Sequence, residues 1–520
     1  MIFREVIMLA RMKGATLFGL TADIVDVEVD LSMGLPGSST VGLPDSAVRE
    51  SRDRIRAAIK NSGYEYPLRK ITVNLAPADV RKEGSSLELP VALAILSASG
   101  VLKRSHVQDI LMVGEISLDG SLRKVRGAMS MILGAKEKGI TSVLLPVGNA
   151  GEACFVDGMK IHPVHHLTEA VQFLNGERDI EPAKMKVPLG EQGRFRLDFS
   201  DVRGQAHAKR AVEVAAAGNH NIILIGPPGS GKTMLARRIP TILPPLTHQE
   251  AIETALIYGT ASVGGEENAL SFSRPFRSPH HSVTSAGLLG GGVNPRPGEI
   301  TLAHNGVLFL DELTEFPAPL IDSMRQPMED ECIIIARSGR NAKFPCRFML
   351  VAAMNPCPCG YFGDRMRECR CTPLEIKRYL SRISGPMMDR IDIQIEVPSL
   401  KYGEINDDGS ETEVETSDEI RRRVMVAKSI QFERFKGGMI LSNSSMDRNA
   451  LRRYCQLDPG AKRLLESAMS KLGLSVRAHD RILKVARTIA DLEGSDPLRI
   501  HHLSEAIQYR ILDRSRFFNA

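Results

Sequence analysis

The run Gly226-Pro227-Pro228-Gly229-Ser230-Gly231-Lys232-Thr233 fits the pattern G-x-x-x-x-G-K-[ST], and GVLFLDE follows at 306–312. A glycine loop of this kind turns backbone N–H groups toward phosphate oxygens, and the positive end of a following helix adds to their pull. Lys232 is the cation that can reach the β- and γ-phosphates, and Thr233 can offer its hydroxyl to magnesium. In the second motif an apolar run ends in two adjacent carboxylates. Asp311 suits the magnesium shell and Glu312 suits the polarisation of an attacking water. Together the two motifs imply hydrolysis of a nucleoside triphosphate, with ATP and Mg2+ as the expected ligands.

Further residues stand at useful intervals. Phe348–Met354 reads as an apolar strand ending at Asn355, which can hold a water near the γ-phosphate or simply open a turn before Pro356. Arg390 in MDRID precedes another apolar run. Arginine suits the charge of a transferring phosphoryl group and can be lent by a neighbouring subunit. Arg477 opens a helix and can fold over the same phosphates, or stand as a solvated charge. Cys357, Cys359, Cys369 and Cys371 form a C-x-C-x9-C-x-C pattern, which suits a closed structural zinc site or a loop of reduced thiols. Positive charge gathers in two places, at Arg274, Arg277, His280, His281 and Arg296, and at Arg337, Arg340 and Lys343. Such charges track a nucleic-acid backbone without reading bases, or form a solvated hairpin.

The elements that must position these groups follow from pattern and composition. A chain of 520 residues has material for about three domains of ~150 residues each. Net charge is +5, so a nucleic-acid surface must be a local patch. No apolar run approaches the ~18–20 residues of a membrane span, and Arg4, Glu5, Arg11 and Lys13 interrupt the first apolar stretch, so neither membrane nor secretory signal is expected. Met8 could equally be the true start. Four of the eight cysteines crowd into 357–371, which suits a reducing cytoplasm and no disulfide framework. Residues 1–175 read as an α/β domain without a nucleotide loop, and 176–198 as a polar linker. Residues 199–400 read as the nucleotide domain, 401–417 as an acidic mobile loop and 418–520 as a helical lid. In the lid, Ile482, Ala486 and Ile489 share one face, away from Arg477, Arg481 and Lys484.

The stretch FRSPHHSVTSAGLLGGGVNPRPGEITLAHNGVLFLDELTEF (276–316) resembles the Mg-chelatase-like branch of the AAA+ ATPases, and Met8–Arg510 as a whole resembles its ComM, or YifB, family. The resemblance implies an insertion at about 260–300, a β-hairpin at about 331–347 and a homo-hexameric ring with ATP between subunits. It implies Asn355 as first sensor, Arg390 as arginine finger and Arg477 as second sensor, with Arg382, Arg481 and Arg487 close enough in sequence to compete. It also implies a DNA motor acting in branch migration during DNA uptake. The alternative is a chelatase-type remodeller of a porphyrin-handling partner. Residues 1–175 resemble the proteolytic domain of Lon-type proteases, whose Ser–Lys dyad cuts peptides. Ser86 in KEGSS matches the serine, but Met129 stands where the lysine belongs, with Lys136 and Lys138 two turns or more along. A thioether cannot take the serine's proton, so no protease activity is expected.

Overall fold

A computed structural model describes residues 9–82, 84–103, 109–184, 196–261, 273–292, 294–337, 340–364, 366–399, 415–438 and 440–510. The acidic segment expected to be a mobile loop lies almost wholly outside these residues.

The first domain is a seven-stranded mixed sheet. Its strands are β1 (Leu9–Phe18), β2 (Thr21–Ser32), β3 (Gly37–Val41), β4 (Lys70–Ala76), β5 (Ile110–Met112), β8 (Ser142–Pro146) and β9 (Lys160–Val164), with a two-residue pair, β6 (Glu115–Ile116) and β7 (Leu122–Arg123), set apart. The order is β3-β4-β2-β1-β5-β8-β9. Helices α1 (Ser46–Asn61) and α2 (Glu88–Ala98) cover one face, and α3 (Ala128–Glu137) helps cover the other. Strand β2 alternates, burying Val25, Val27, Val29 and Leu31, as a strand does when one face meets a core. The chain after this domain is not all linker. Ala183 donates to the Ile161 carbonyl at 2.8 Å and His162 bonds the Ile180 carbonyl at 3.0 Å, so the tail adds to the sheet edge before the described chain breaks at 184.

The second domain is a five-stranded sheet, parallel throughout. It comprises β10 (Ile222–Ile225), β11 (Phe276–Arg277), β14 (Gly306–Leu310), β17 (Phe348–Met354) and β18 (Ile393–Glu396), in the order β11-β14-β17-β10-β18. Strand β10 is buried at every residue, as expected where both faces are covered. Ile222 and Leu224 enter the core shared with the carboxyl-terminal helices, while Ile223 and Ile225 enter the core shared with the cysteine loop. Two small antiparallel pairs project from this sheet: β12 (Gly290–Gly291) with β13 (Arg296–Pro297), and the hairpin β15 (Cys332–Arg337) with β16 (Arg340–Pro345).

The helices Ser417–Phe435, Arg448–Tyr454, Pro459–Leu472, Val476–Leu492 and Ile500–Gln508 follow. Ile482, Ala486 and Ile489 are fully buried and belong to one continuous core with Ile222, Leu224, Val351 and Ile393. A buried polar chain stitches the same joint. His220 contacts Asp392 at 3.3 Å and Thr488 at 2.7 Å, Arg481 also pairs with Asp392, and Asn443 and Arg434 hold buried Asp491. Burial would raise the Asp392 pKa, but Arg481 and His220 pull it well below the usual carboxylate range.

The two α/β domains touch through a helix and through a hairpin. Helix His248–Ala261 lays Ala251 and Ala255, and the chain just before it lays Leu246, into the core of Val125, Ala128 and Ile132, and Gly127 donates to the Gly259 carbonyl at 3.0 Å. The β15–β16 hairpin meets the β1–β2 turn, where Arg340 pairs with Asp23 at 2.8 Å and lies 4.3 Å from the Phe18 ring centroid. A Cβ on Gly19 would stand 3.0 Å from that of Ala342, so the approach is close.

Candidate nucleotide site

Gly226, Asp311 and Asn355 each follow the carboxyl end of a strand, and those strands, β14, β17 and β10, are neighbours. Parallel strands ~4.8 Å apart therefore deliver three motifs from distant sequence to one crevice. The loop reverses through Gly229 (φ +78°) and Gly231 (φ +93°), left-handed positions that suit glycine, before the helix Lys232–Ile242 begins. A Cβ on Gly226 would strike the Val397 carbonyl. Gln205 braces the loop from outside, donating to the carbonyls of Pro398 at 2.7 Å and Ser230 at 3.4 Å.

Lys232 donates to the carbonyls of Gly226 and Pro227 at 2.7 and 2.8 Å and to Asn355 Oδ1 at 3.3 Å. Burial pulls its pKa down to about 8, against the opposing influence of Asp311 and Glu312. A buried cation held by neutral carbonyls is ready for an anion. The Thr233 hydroxyl donates to Asp311 Oδ2 at 2.8 Å. Two oxygens that share an octahedral magnesium shell at ~2.1 Å stand about 3 Å apart, so this pair fits as ligands. Glu312 is exposed and takes φ +52°, uncommon for a residue with a side chain, and its N–H donates to Asp311 Oδ1 at 3.1 Å.

The arginines divide. Arg390 precedes β18, while Gly226 follows β10. The register pairs Ile222 with Ile393 and Ile225 with Glu396, so the four rises from the level of Gly226 back to Ile393, roughly 13 Å, and the residues before it put Arg390 at the end of the sheet away from its own glycine loop. It donates to Glu329 at 2.5 Å and borders a cleft of about 300 Å³ with Arg347, Arg481 and Lys484. Of the competitors, Arg481 is committed to Asp392, Arg487 to Asp491 at 3.0 Å, and Arg382 to Glu315 at 3.3 Å. Arg477 is exposed and makes no ion pair among the described residues.

The residues proposed from charge alone also divide. Arg274 forks onto Glu250 at 3.0 and 3.2 Å, and Arg277 onto Glu299 with both bonds at 2.7 Å, so these two spend their charge within the chain. Both pairs fix the insertion to its own domain. His280 bonds Ser282 and stacks 4.0 Å from His281. Arg340 is held by Asp23 and Phe18, partners 317 or more residues away that no sequence pattern could signal. Arg296, Arg337 and Lys343 are exposed and make no ion pair among the described residues.

The four cysteines converge. Cys357 and Cys359 sulfurs are 3.4 Å apart, Cys357 and Cys369 3.7 Å, Cys359 and Cys369 3.6 Å, and Cys371 completes a group within 4.8 Å. A tetrahedral zinc with bonds of ~2.3 Å needs sulfurs about 3.8 Å apart, so the donor set fits. This loop also touches the glycine loop: a Cβ on Gly360 would lie 2.6 Å from Pro228 Cδ. A second group, Glu493, His501 and His502, is less suited to metal. His502 Nδ1 accepts from the Arg499 N–H at 3.0 Å, so its proton sits on Nε2, the atom that a metal would need free.

In the first domain, Ser86 is buried and donates its hydroxyl to the Ala15 carbonyl at 2.9 Å. Met129 is buried at 1% exposure, and Met131 is the methionine that borders the cleft beside Ser86. Neither thioether can activate the serine.

The five parallel strands, the glycine loop and the acidic strand tip define an AAA+ protein of the Mg-chelatase-like class. The family described as "Magnesium chelatase, subunit ChlI" matches residues 198–405, with "Subunit ChlI of Mg-chelatase" at 27–149 and "Magnesium chelatase, subunit ChlI C-terminal" at 414–510. The competence protein ComM of Haemophilus influenzae is 46% identical over 500 residues, covering 95% of this chain and 96% of that protein. YifB of Escherichia coli is 44% identical over 499 residues, with the same coverage. The chain belongs to the ComM/YifB family of Mg-chelatase-like AAA+ proteins. It is also 27% identical over 164 residues to Lon protease 2 of Bacillus subtilis, 30% of each chain. Among the described residues, no helix is long and apolar enough to cross a membrane.

Proposed function

We propose that the chain is an ATP-hydrolysing motor that works on DNA as a hexameric ring. The observation that carries hydrolysis is the convergence of Lys232 with Asn355 and of Thr233 with Asp311 around one crevice. Lys232 and the loop N–H groups bind the β- and γ-phosphates, and Asn355 orients the attacking water. Glu312 accepts that water's proton. Thr233 and Asp311 would hold magnesium, which would supply charge neutralisation at the phosphates. The place of Arg390 at the far end of the sheet supports action on a neighbour's nucleotide, and the free Arg477 supports a sensor role from the helical domain. Arg296, Arg337 and Lys343 supply uncommitted charge for a phosphate backbone, with Arg340 joining once it leaves Asp23. The name of the relative from Haemophilus influenzae supports a role in competence; branch migration of recombination intermediates during DNA uptake is the form that we propose for that role.

The test is DNA binding by Glu312→Gln, which should load ATP and keep it. At low salt in ATP it should bind single-stranded or branched DNA. No binding would end the motor reading and leave the chelatase-type remodeller, which the matched family descriptions favour. The sulfur spacing supports a structural zinc that pins the loop against Pro228. Metal analysis of protein prepared without chelators should find about one zinc per chain, and no zinc would leave a loop of reduced thiols.

A further inference from the structure

The cleft beside Ser86, about 390 Å³, is walled by both α/β domains: Phe18, Lys124 and Arg126 come from the first, and Asn294, Pro295 and Arg296 from the insertion of the second. Five charged side chains border it. The two carboxylates are engaged locally, Asp45 by the N–H groups of Val48 and Gly84 at 2.8 and 3.3 Å, and Glu115 by the Ser85 hydroxyl. The three cations, Lys124, Arg126 and Arg296, are exposed and form no ion pair among the described residues. Lys124 also acts electrostatically on buried Glu152, opposing the rise that burial gives its pKa. The Ser86 hydroxyl is turned onto the Ala15 carbonyl.

Phe18 joins this cleft to the hairpin, because the same ring that walls the cleft carries the Arg340 guanidinium. We infer that the cleft grips the phosphodiester backbone of a nucleic-acid strand through Lys124, Arg126 and Arg296, extending the track of the hairpin into the first domain. The inference rests on the DNA reading above and adds a place where the strand is held. A backbone polyanion fits better than an acidic peptide. The cations lie at the cleft's exposed border, on two domains, and none sits in a closed pocket shaped for one carboxylate.

The experiment uses the full chain carrying Glu312→Gln, with ATP, and follows the anisotropy of a labelled single-stranded oligonucleotide across a salt series. Adding Lys124→Ala, Arg126→Ala and Arg296→Ala should weaken binding roughly tenfold at low salt and reduce the slope of log K against log salt by about two, since each single-strand phosphate contact contributes ~0.7. Replacing the arginines with lysine and Lys124 with arginine should keep the parent slope, which separates charge from fold. An unchanged slope in the alanine variant, with the parent binding DNA, overturns the inference and leaves the motor reading standing. A parent that binds no DNA overturns both, and is read before any cleft variant is made. If the alanine variant loses a labelled polyglutamate peptide but not the oligonucleotide, the cleft serves an acidic polypeptide and the inference fails.

Discussion

Both α/β domains place a polar side chain just past a glycine of positive φ, Ser86 after Gly84 (φ +82°) and Lys232 after Gly231 (φ +93°), and the two side chains meet opposite surroundings. Lys232 is offered three oxygens, two of them backbone carbonyls, and faces Asn355 from a neighbouring strand. Ser86 is offered one carbonyl, and the helix that should bring a base brings Met129 and Met131. A reactive side chain becomes a catalyst only when a second element supplies the group that activates it. The nucleotide domain brings such a group to Lys232, whereas the helix beside Ser86 brings thioethers, which take no proton.

The largest effect should come from the glycine loop. Lys232→Ala removes the cation at the phosphates and should abolish nucleotide binding and hydrolysis together. Glu312→Gln keeps binding and should slow turnover by ~10²–10⁴-fold, the usual contribution of a general base. Equilibrium binding beside single-turnover rates checks both. A Glu312→Gln variant turning over near the parent rate would remove Glu312 from the chemistry.

Arg390→Ala should leave binding intact and slow hydrolysis by ~10³-fold or more, as arginine fingers do. Mixing it with Lys232→Ala subunits should restore activity, because some interfaces then join an intact loop to an intact arginine. No rescue at any ratio, with mixed rings verified, would place Arg390 outside the neighbour's site.

The contact between the domains should give a smaller effect of informative sign. Asp23→Asn releases Arg340 from its ion pair, which is worth about 0–1 kcal/mol at this exposed position. Freed charge should tighten DNA binding a few-fold at low salt and steepen its salt dependence. Weaker binding instead would mean that Asp23 positions the hairpin and does not restrain it.

The contrast between legible and hidden features follows from how far each signal travels along the chain. The glycine loop, the acidic strand tip and Asn355 are local patterns, each a strand followed by its functional residue, and parallel pairing alone brings them together. The strand Phe348–Met354 has the bounds that its pattern predicts, because the apolar run and the Asn-Pro pair that ends it sit side by side in sequence. Charge was harder to read. Arg274, Arg277 and Arg337 look alike in sequence, and only the fold brings Glu250 and Glu299 to the first two. The pairing of Arg340 with Asp23, and the single core shared by the helical domain and the sheet, depend on packing across hundreds of residues, which local periodicity cannot register.

Ser86→Ala should do least. The lost bond to Ala15 is neutral and worth about 0.5–1.5 kcal/mol, so a small drop in melting temperature is expected with ATPase unaltered. A fall in peptide cleavage on this change would revive the first domain as an enzyme and break the contrast.

The most direct test of the account is the steady-state ATPase rate of the purified chain alone and with single-stranded, duplex and four-way DNA. The account predicts a basal rate that rises on adding DNA, most with the branched or single-stranded form, and a rise that shrinks as salt increases. A rate indifferent to every DNA at low salt, in protein that hydrolyses ATP, would contradict it.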